Sequence, residues 1–318
     1  MAAQSKLALP DLFLIGAPKA GTTSIACWLA DHPDVYWSVP KEPFFWAADY
    51  PALRRHYGID TREAYDRLFS SPEAAAARVR GDGSTCYLYS VTAVPDIAAA
   101  QPEARFVVCV RNPVDLIASY HRTQLIALNE DEPELERAWS RSVTGRLPGV
   151  RPLDPKLVDY PLVGSQGGAV ARVVEQVGRQ AVHLICFDDL VENPHKVWHE
   201  LADFAGLPAT PLPDFRVRNP SDKTYRSLAL RQVMHRPPRL FAPGMRRLRA
   251  WSRTTRLPGV AGLKRALWRS EERPHVTESA RATIASALAD DVELLGQLLG
   301  RDLTHWSRSP VADQHGLP

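Results

Sequence analysis

Lys19 stands inside a short loop, Gly16-Ala17-Pro18-Lys19-Ala20-Gly21-Thr22-Thr23-Ser24, between the apolar run Leu12-Phe13-Leu14-Ile15 and a segment of helical composition. Strand, glycine loop and helix N-terminus together make an anion site: unpaired backbone N–H groups point outward there and the helix dipole adds attraction. Gly16 and Gly21 have the four-residue gap of the nucleotide motif G-x-x-x-x-G-K-[ST], but Thr22, not lysine, follows the second glycine. The chain holds 39 Lys and Arg, of which seven are Lys and 39 − 7 = 32 are Arg. One of so few lysines within the loop points to phosphate binding with a fixed cation. No acidic residue at a strand end reads as a magnesium ligand, so metal-dependent phosphoryl transfer is disfavoured and no metal is expected.

A second apolar run, 105–110, exits into Arg111-Asn112-Pro113 and a helical segment carrying Ser119. Proline suits a first helical turn, where its missing N–H is not needed. Arg111 would stand at the carboxyl end of a strand, where open α/β sheets bind ligands, and a guanidinium there can clamp a phosphate. A third segment, Pro40-Lys41-Glu42-Pro43-Phe44-Phe45-Trp46, sets a charged pair among prolines and aromatics. An apolar wall would raise the Glu42 pKa and suit it to act as a base, while Lys41 would pull it the other way. Asp82, ending another strand, is the rival base. His121 lies two residues past Ser119, on a different helix face, and is a poor base candidate. His195 and His199 have metal-ligand spacing but no third ligand nearby, so they read as a solvated helix face.

The elements that must position these groups follow from hydrophobic patterning. Short buried runs at 12–16, 106–110 and 182–187, with weaker ones at 79–83 and 35–37, read as strands. Helical segments at 22–30, 61–69, 91–100, 113–127, 165–178 and 195–205 lie between them. This alternation predicts an α/β protein of three layers, a central parallel sheet flanked by helices on a P-loop-type plan. The chain reads as a single domain, 1–318. Within it, 231–256 holds eight arginines, no acidic residue and three prolines, a basic lid or insertion, and 277–299 forms an amphipathic C-terminal helix.

At 45% hydrophobic residues the composition excludes a disordered or collagen-like chain, and a net charge of +3 demands no nucleic-acid partner. The N-terminus lacks a signal-peptide pattern, and no run approaches the roughly 20 apolar residues of a membrane span. Cys27, Cys86, Cys109 and Cys186 have no CxxC spacing and read as reduced thiols, which with the arginine bias fits a cytoplasmic protein from a GC-rich bacterial genome.

Taken together, these segments resemble the sulfotransferases that use 3′-phosphoadenosine 5′-phosphosulfate (PAPS), with the heparan sulfate and carbohydrate branch the most similar. Pro18 to Ser24 is similar to that family's 5′-phosphosulfate loop, and Val108 to Tyr120 to its 3′-phosphate motif. Phe187-Asp188-Asp189-Leu190 and the tail Gly300 to Trp306 resemble later family segments in the right order. The resemblance implies that Lys19 meets the bridging oxygen of the phosphosulfate and steadies the leaving phosphate. It implies that Ala20, Gly21, Thr22, Thr23 and Ser24 surround the 5′-phosphate, that Arg111 and Ser119 hold the 3′-phosphate, and that Lys223, Arg226 and Ser227 belong to a loop closing over it. Glu42 matches the base of the heparan sulfate branch. The histidine that follows it there is absent, with Phe44 in its place, and Gly83 stands where some members carry lysine. The implied reaction moves a sulfuryl group from PAPS to a hydroxyl, with an amine the second choice, of a carbohydrate, lipid or secondary-metabolite acceptor. The alternatives are a metal-dependent nucleotide or small-molecule kinase and a non-catalytic nucleotide-binding protein.

Overall fold

A computed structural model of the chain describes residues 9–215, 223–225, 232, 268–270 and 276–306. Five strands, β1 (Leu12–Gly16), β2 (Val35–Trp37), β3 (Val79–Asp82), β4 (Arg105–Val110) and β5 (Val182–Cys186), form one sheet in the order β2-β3-β1-β4-β5. Every pairing is parallel, as the alternating patterning predicts. The central strands are apolar throughout because both faces are covered: Leu12 to Ile15 and Phe106 to Val110 lie entirely in the core.

The helices are α1 (Thr22–Asp31), α2 (Pro51–Tyr57), α3 (Arg62–Asp66), α4 (Pro72–Ala76), α5 (Ala93–Ala100), α6 (Pro113–Ile126) and α7 (Leu135–Val143). They continue with α8 (Tyr160–Gly164), α9 (Gln166–Val177), α10 (Phe187–Glu192) and α11 (Pro194–Ala205), and near the C-terminus with α12 (Glu278–Ala287) and α13 (Ala289–Leu299). The expected helix over 277–299 is therefore two. The break at Leu288 lets Asp291, in the first turn of α13, accept hydrogen bonds from the backbone N–H of Gly167 and Gly168, both 2.8 Å, at the start of α9. The amphipathic stripe survives the break, with Ile284, Leu288, Val292 and Leu295 in the core.

A small antiparallel pair, Lys223–Tyr225 with Trp268–Ser270, brackets the basic segment in sequence and is absent from the periodicity reading. The basic segment 231–256, Arg226 and Ser227 lie outside the described residues, apart from residue 232.

The strand order fixes where a ligand can sit. From β1 the chain moves toward β2 on one side of the sheet, and from β4 it moves toward β5 on the other. Neighbouring strands whose exits diverge leave a crevice at their carboxyl ends, the switch point of an open α/β sheet. Here that crevice lies between the loop after Gly16 and the turn at Arg111.

Candidate active site

The loop from Gly16 to Gly21 is held tightly at both ends. Ala17 N–H donates to the Cys109 carbonyl of β4 at 2.6 Å. Gly16 packs so closely on Leu88 that a Cβ there would approach its side chain to 2.7 Å. Gly21 has φ 89 at the N-cap of α1, and a Cβ on it would come within 2.3 Å of Leu190. Only glycine satisfies both the backbone and the space. Lys19 adopts φ 67, an uncommon left-handed conformation for a residue with a side chain. No side chain caps α1, whereas α6, α11 and α12 are capped by Asn112, Asn193 and Thr277. The α1 terminus therefore has the uncapped form of a helix-end anion site, flanked by the half-buried Lys19, Thr23 and Ser24, with Ser24 N–H turned to the Gly21 carbonyl at 2.9 Å.

Arg111 meets this loop directly. Its Nη1 donates to the Lys19 carbonyl at 3.0 Å, and its guanidinium lies 4.4 Å from the centre of the Phe187 ring. The backbone is pinned by Gln166, whose Oε1 accepts from Arg111 N–H at 2.9 Å and whose Nε2 donates to the Arg111 carbonyl at 2.7 Å. Ser119 stands on α6, the helix that follows Arg111, six residues or about 9 Å beyond Pro113, and is half-buried. Arg111 and the phosphate loop therefore meet at the carboxyl ends of β1 and β4. Phe187 and Leu190 of α10 underlie both, the first against Arg111 and Gly21, the second against Gly21.

The tail locks this region. Trp306 accepts from Asn112 Nδ2 through its carbonyl at 3.3 Å and donates its indole N–H to Asp188 at 2.9 Å, while Arg301 donates to both Asp189 oxygens at 2.8 Å.

The Glu42 loop lies along the carboxyl end of β3. Glu42 is half-buried; its Oε1 accepts from Lys41 Nζ at 3.1 Å and from Thr85 Oγ1 at 3.5 Å. The neighbouring aromatics pack with other rings, Phe44 on Tyr57 at 4.8 Å and Phe45 on Tyr65 at 4.5 Å. The lysine that some relatives carry at position 83 has no room here: a Cβ on Gly83 would lie 2.8 Å from the Trp37 ring.

Asp82, the rival base, is sealed from solvent. Its Oδ2 accepts from Tyr65 OH at 2.9 Å and Tyr87 OH at 3.1 Å, and its Oδ1 from Ser84 Oγ at 2.9 Å. Burial pushes its pKa up to about 7, against the hydrogen bonds that act to lower it. A substrate could not reach this carboxyl without displacing its partners.

Other residues fall outside the crevice chemistry. His121 is buried, its Nε2 2.8 Å from the Glu132 carbonyl, and burial lowers its pKa. His195 packs on Phe215. The four cysteines are free thiols. Lys223 lies on the small strand pair, where its backbone alone is described. Among the described residues no helix is long and apolar enough to cross a membrane.

Gln166, Phe187 and the hydroxyls around Asp82 acquire roles that residue types alone did not assign. Gln166 and Tyr65 lie far in sequence from the groups they hold, and no local pattern marks a long-range hydrogen bond.

A parallel sheet flanked by helices, with an uncapped glycine loop at its switch point bonded to an arginine-bearing strand end, defines the protein as one of the α/β class. The family model described as "Sulfotransferase domain" matches residues 9–231, and the chain belongs to that family. Among curated relatives, human carbohydrate sulfotransferase 15 is 27% identical over 148 residues, covering 35% of this chain and 26% of that protein. The bifunctional heparan sulfate N-deacetylase/N-sulfotransferase 1 of Xenopus laevis is 30% identical over 116 residues, 36% of this chain and 13% of that protein. The chain thus spans about a quarter or less of the length of these relatives. The crystal structure of a sulfotransferase from Alicyclobacillus acidocaldarius superposes with a TM-score of 0.67 at 21% identity, covering 95% of this chain and all of that one, which establishes the shared fold.

Proposed function

We propose that the protein, acting as one domain, transfers a sulfuryl group from PAPS to a hydroxyl group of a carbohydrate-type acceptor. The observation that carries the reading is the hydrogen bond from Arg111 to the Lys19 carbonyl, which puts the two anion-binding segments in one crevice. A donor bearing phosphate at both ends of a nucleoside needs this pairing. Its residues fit: an uncapped helix terminus and Lys19 for the 5′ side, and Arg111 and Ser119 for the 3′ side; the family resemblance adds Lys223 and Arg226 to the 3′ side.

PAPS supplies the activated sulfuryl group. The chain's own residues do the rest. Amides of Gly21 to Thr23 and the hydroxyls of Thr22, Thr23 and Ser24 orient the 5′-phosphate, while Ser24 N–H closes the turn on the Gly21 carbonyl at 2.9 Å. The Lys19 ammonium offsets the charge that grows there as the bond to sulfur weakens, an interaction strongest in the transition state. Glu42 takes the acceptor proton. Both of its side-chain hydrogen bonds among the described residues fall on Oε1, so Oε2 is the oxygen assigned to that task. A sulfuryl group bears less negative charge than a phosphoryl group, so one lysine can serve where phosphoryl transfer uses magnesium.

The names of the relatives support a carbohydrate over a lipid or secondary metabolite, and the heparan sulfate N-sulfotransferases keep an amine in view. Transfer of sulfur-35 from labelled PAPS, with EDTA present, to a panel of oligosaccharides, amino sugars, sterols and phenols tests the reading. Label in an oligosaccharide hydroxyl is the expected result. Transfer of labelled phosphate from ATP with magnesium, and none of sulfur, would replace it with the kinase reading.

A further inference from the structure

The carboxylate of Asp82 is buried beside the crevice and takes no part in the reaction above, yet it is bound by three hydroxyls. Two of those hydroxyls face outward as well as inward. Ser84 Oγ donates to Asp82 and accepts from Phe44 N–H at 3.0 Å; Tyr87 OH donates to Asp82 and accepts from Trp46 N–H at 3.2 Å. The geometry points to Asp82 as a positioning residue that fixes the Glu42 loop through these two hydroxyl relays.

The argument rests on hydrogen-bond direction. A hydroxyl has one proton and two lone pairs. Above about pH 7, where Asp82 is ionised, its acceptor-only carboxylate draws the Ser84 and Tyr87 protons toward itself and leaves their lone pairs for the two loop amides. Tyr65 OH fills a further site on Asp82, so all three hydroxyl protons have a defined direction. The loop needs such fixing. Phe44, two residues after Glu42, has φ 61, a conformation that persists in a residue with a side chain only when its surroundings over-determine it. Further bonds run along the same seam: Ser38 N–H to the Gly81 carbonyl at 2.9 Å, Gly83 N–H to the Lys41 carbonyl at 3.2 Å, and Thr85 to Glu42 itself. Residues 81–87 thus form a template on which 38–46 is laid, and Asp82 sets the polarity of its central hydroxyls. The phosphate loop and Arg111 are tied elsewhere, Ala17 N–H to the Cys109 carbonyl and Arg111 to the Lys19 carbonyl and Gln166.

The inference rests on Glu42 as the base, and the experiment separates the two. The full chain is compared with Ser84→Ala, Tyr87→Phe, their double variant, Asp82→Asn and Glu42→Gln. The readouts are kcat, KM for PAPS, affinity for 3′-phosphoadenosine 5′-phosphate, and hydrogen exchange of peptides covering 41–48, 16–24 and 111–119. The relay predicts that the double variant loses at least tenfold in kcat with KM for PAPS and bisphosphate affinity unchanged. It also predicts faster exchange confined to 41–48. Asp82→Asn, if folded, should do the same, and Glu42→Gln should lose kcat with wild-type exchange. Wild-type exchange at 41–48 in the double variant overturns the relay, whatever Glu42→Gln does. So does a loss of kcat in Asp82→Asn alone, which would make Asp82 itself the base, and so does faster exchange or weakened affinity across all three segments. Retained kcat in Glu42→Gln overturns the base assignment, while the exchange data still decide the relay.

Discussion

Arg111 and Lys19 are neighbours in space, but their side chains face different demands. Arg111 is rigidly held, with its backbone clamped by Gln166 and its guanidinium over Phe187. Arg111→Ala should weaken bisphosphate binding between about tenfold and a hundredfold, the span to which about 1.5–3 kcal/mol for a charge-assisted contact converts. Arg111→Lys should recover little, because an ammonium reproduces neither the planar fork nor the stacking on Phe187. Isothermal titration of both variants checks this. Lys19→Ala should instead cost turnover more than affinity, since its charge matters most as the leaving phosphate forms. Asp82 makes a separate prediction in pH. Its native pKa of about 7 exceeds the ordinary 3.8, so between these values the native state holds a proton that the unfolded chain has released. Its contribution is therefore complete below about pH 4, declines as pH rises, and is gone above about pH 7, a share on the order of 4 kcal/mol at most. The groups facing it are Tyr65 from α3, Ser84, Cys86 and Tyr87 from the segment after β3, and Glu42 from the opposing loop. Urea unfolding from pH 4 to 8 should show the wild type losing stability relative to Asp82→Asn. Parallel pH dependence in the two proteins would contradict the assignment.

The elements are arranged so that each end of the crevice is fixed by something distant. At the α1 terminus, Gly21→Ala should abolish bisphosphate binding, because the added Cβ meets Leu190 and the left-handed φ resists a side chain. A binding isotherm matching the wild type would show that the loop tolerates another path. At the α9 terminus, the Asp291 carboxylate caps two amides from across the fold. Asp291→Ala should destabilise the protein by about 0.5–2 kcal/mol, the range for a lost N-cap, read as a lower urea midpoint. This cap also explains why one amphipathic stripe became two helices. Periodicity carries the apolar face of 277–299 correctly, but it has no means of marking a one-residue break whose stabilising partner lies 123 and 124 residues away. The strands were legible for the opposite reason. Runs such as Phe106 to Val110 are apolar on both faces, which only a covered parallel sheet explains. Short helices such as Pro51–Tyr57 and Tyr160–Gly164 are one or two turns long and too brief for periodicity to register.

On the scale of the whole molecule, the sheet order is what turns separate motifs into a site. Lys19 and Arg111 stood out in the sequence as candidate anion ligands because glycine, proline and a lone lysine at fixed offsets have few other uses. That they meet at one switch point follows from β1 and β4 being neighbours with diverging exits, which is a property of topology and invisible to local pattern. Glu42 was legible by its setting, whereas the hydroxyl scaffold beneath its loop was not, since Tyr65, Ser84 and Tyr87 are ordinary residue types at unremarkable spacings. The central claim, a crevice with two phosphate sites acting together, is tested most directly by one titration. Binding of 3′-phosphoadenosine 5′-phosphate is measured by calorimetry in EDTA beside 5′-AMP, which lacks the 3′-phosphate, and ATP. The account predicts micromolar or tighter binding of the bisphosphate without metal and at least tenfold weaker binding of 5′-AMP, a gap of about 1.4 kcal/mol or more. Equal affinity for the two, or a preference for ATP that requires magnesium, would contradict it.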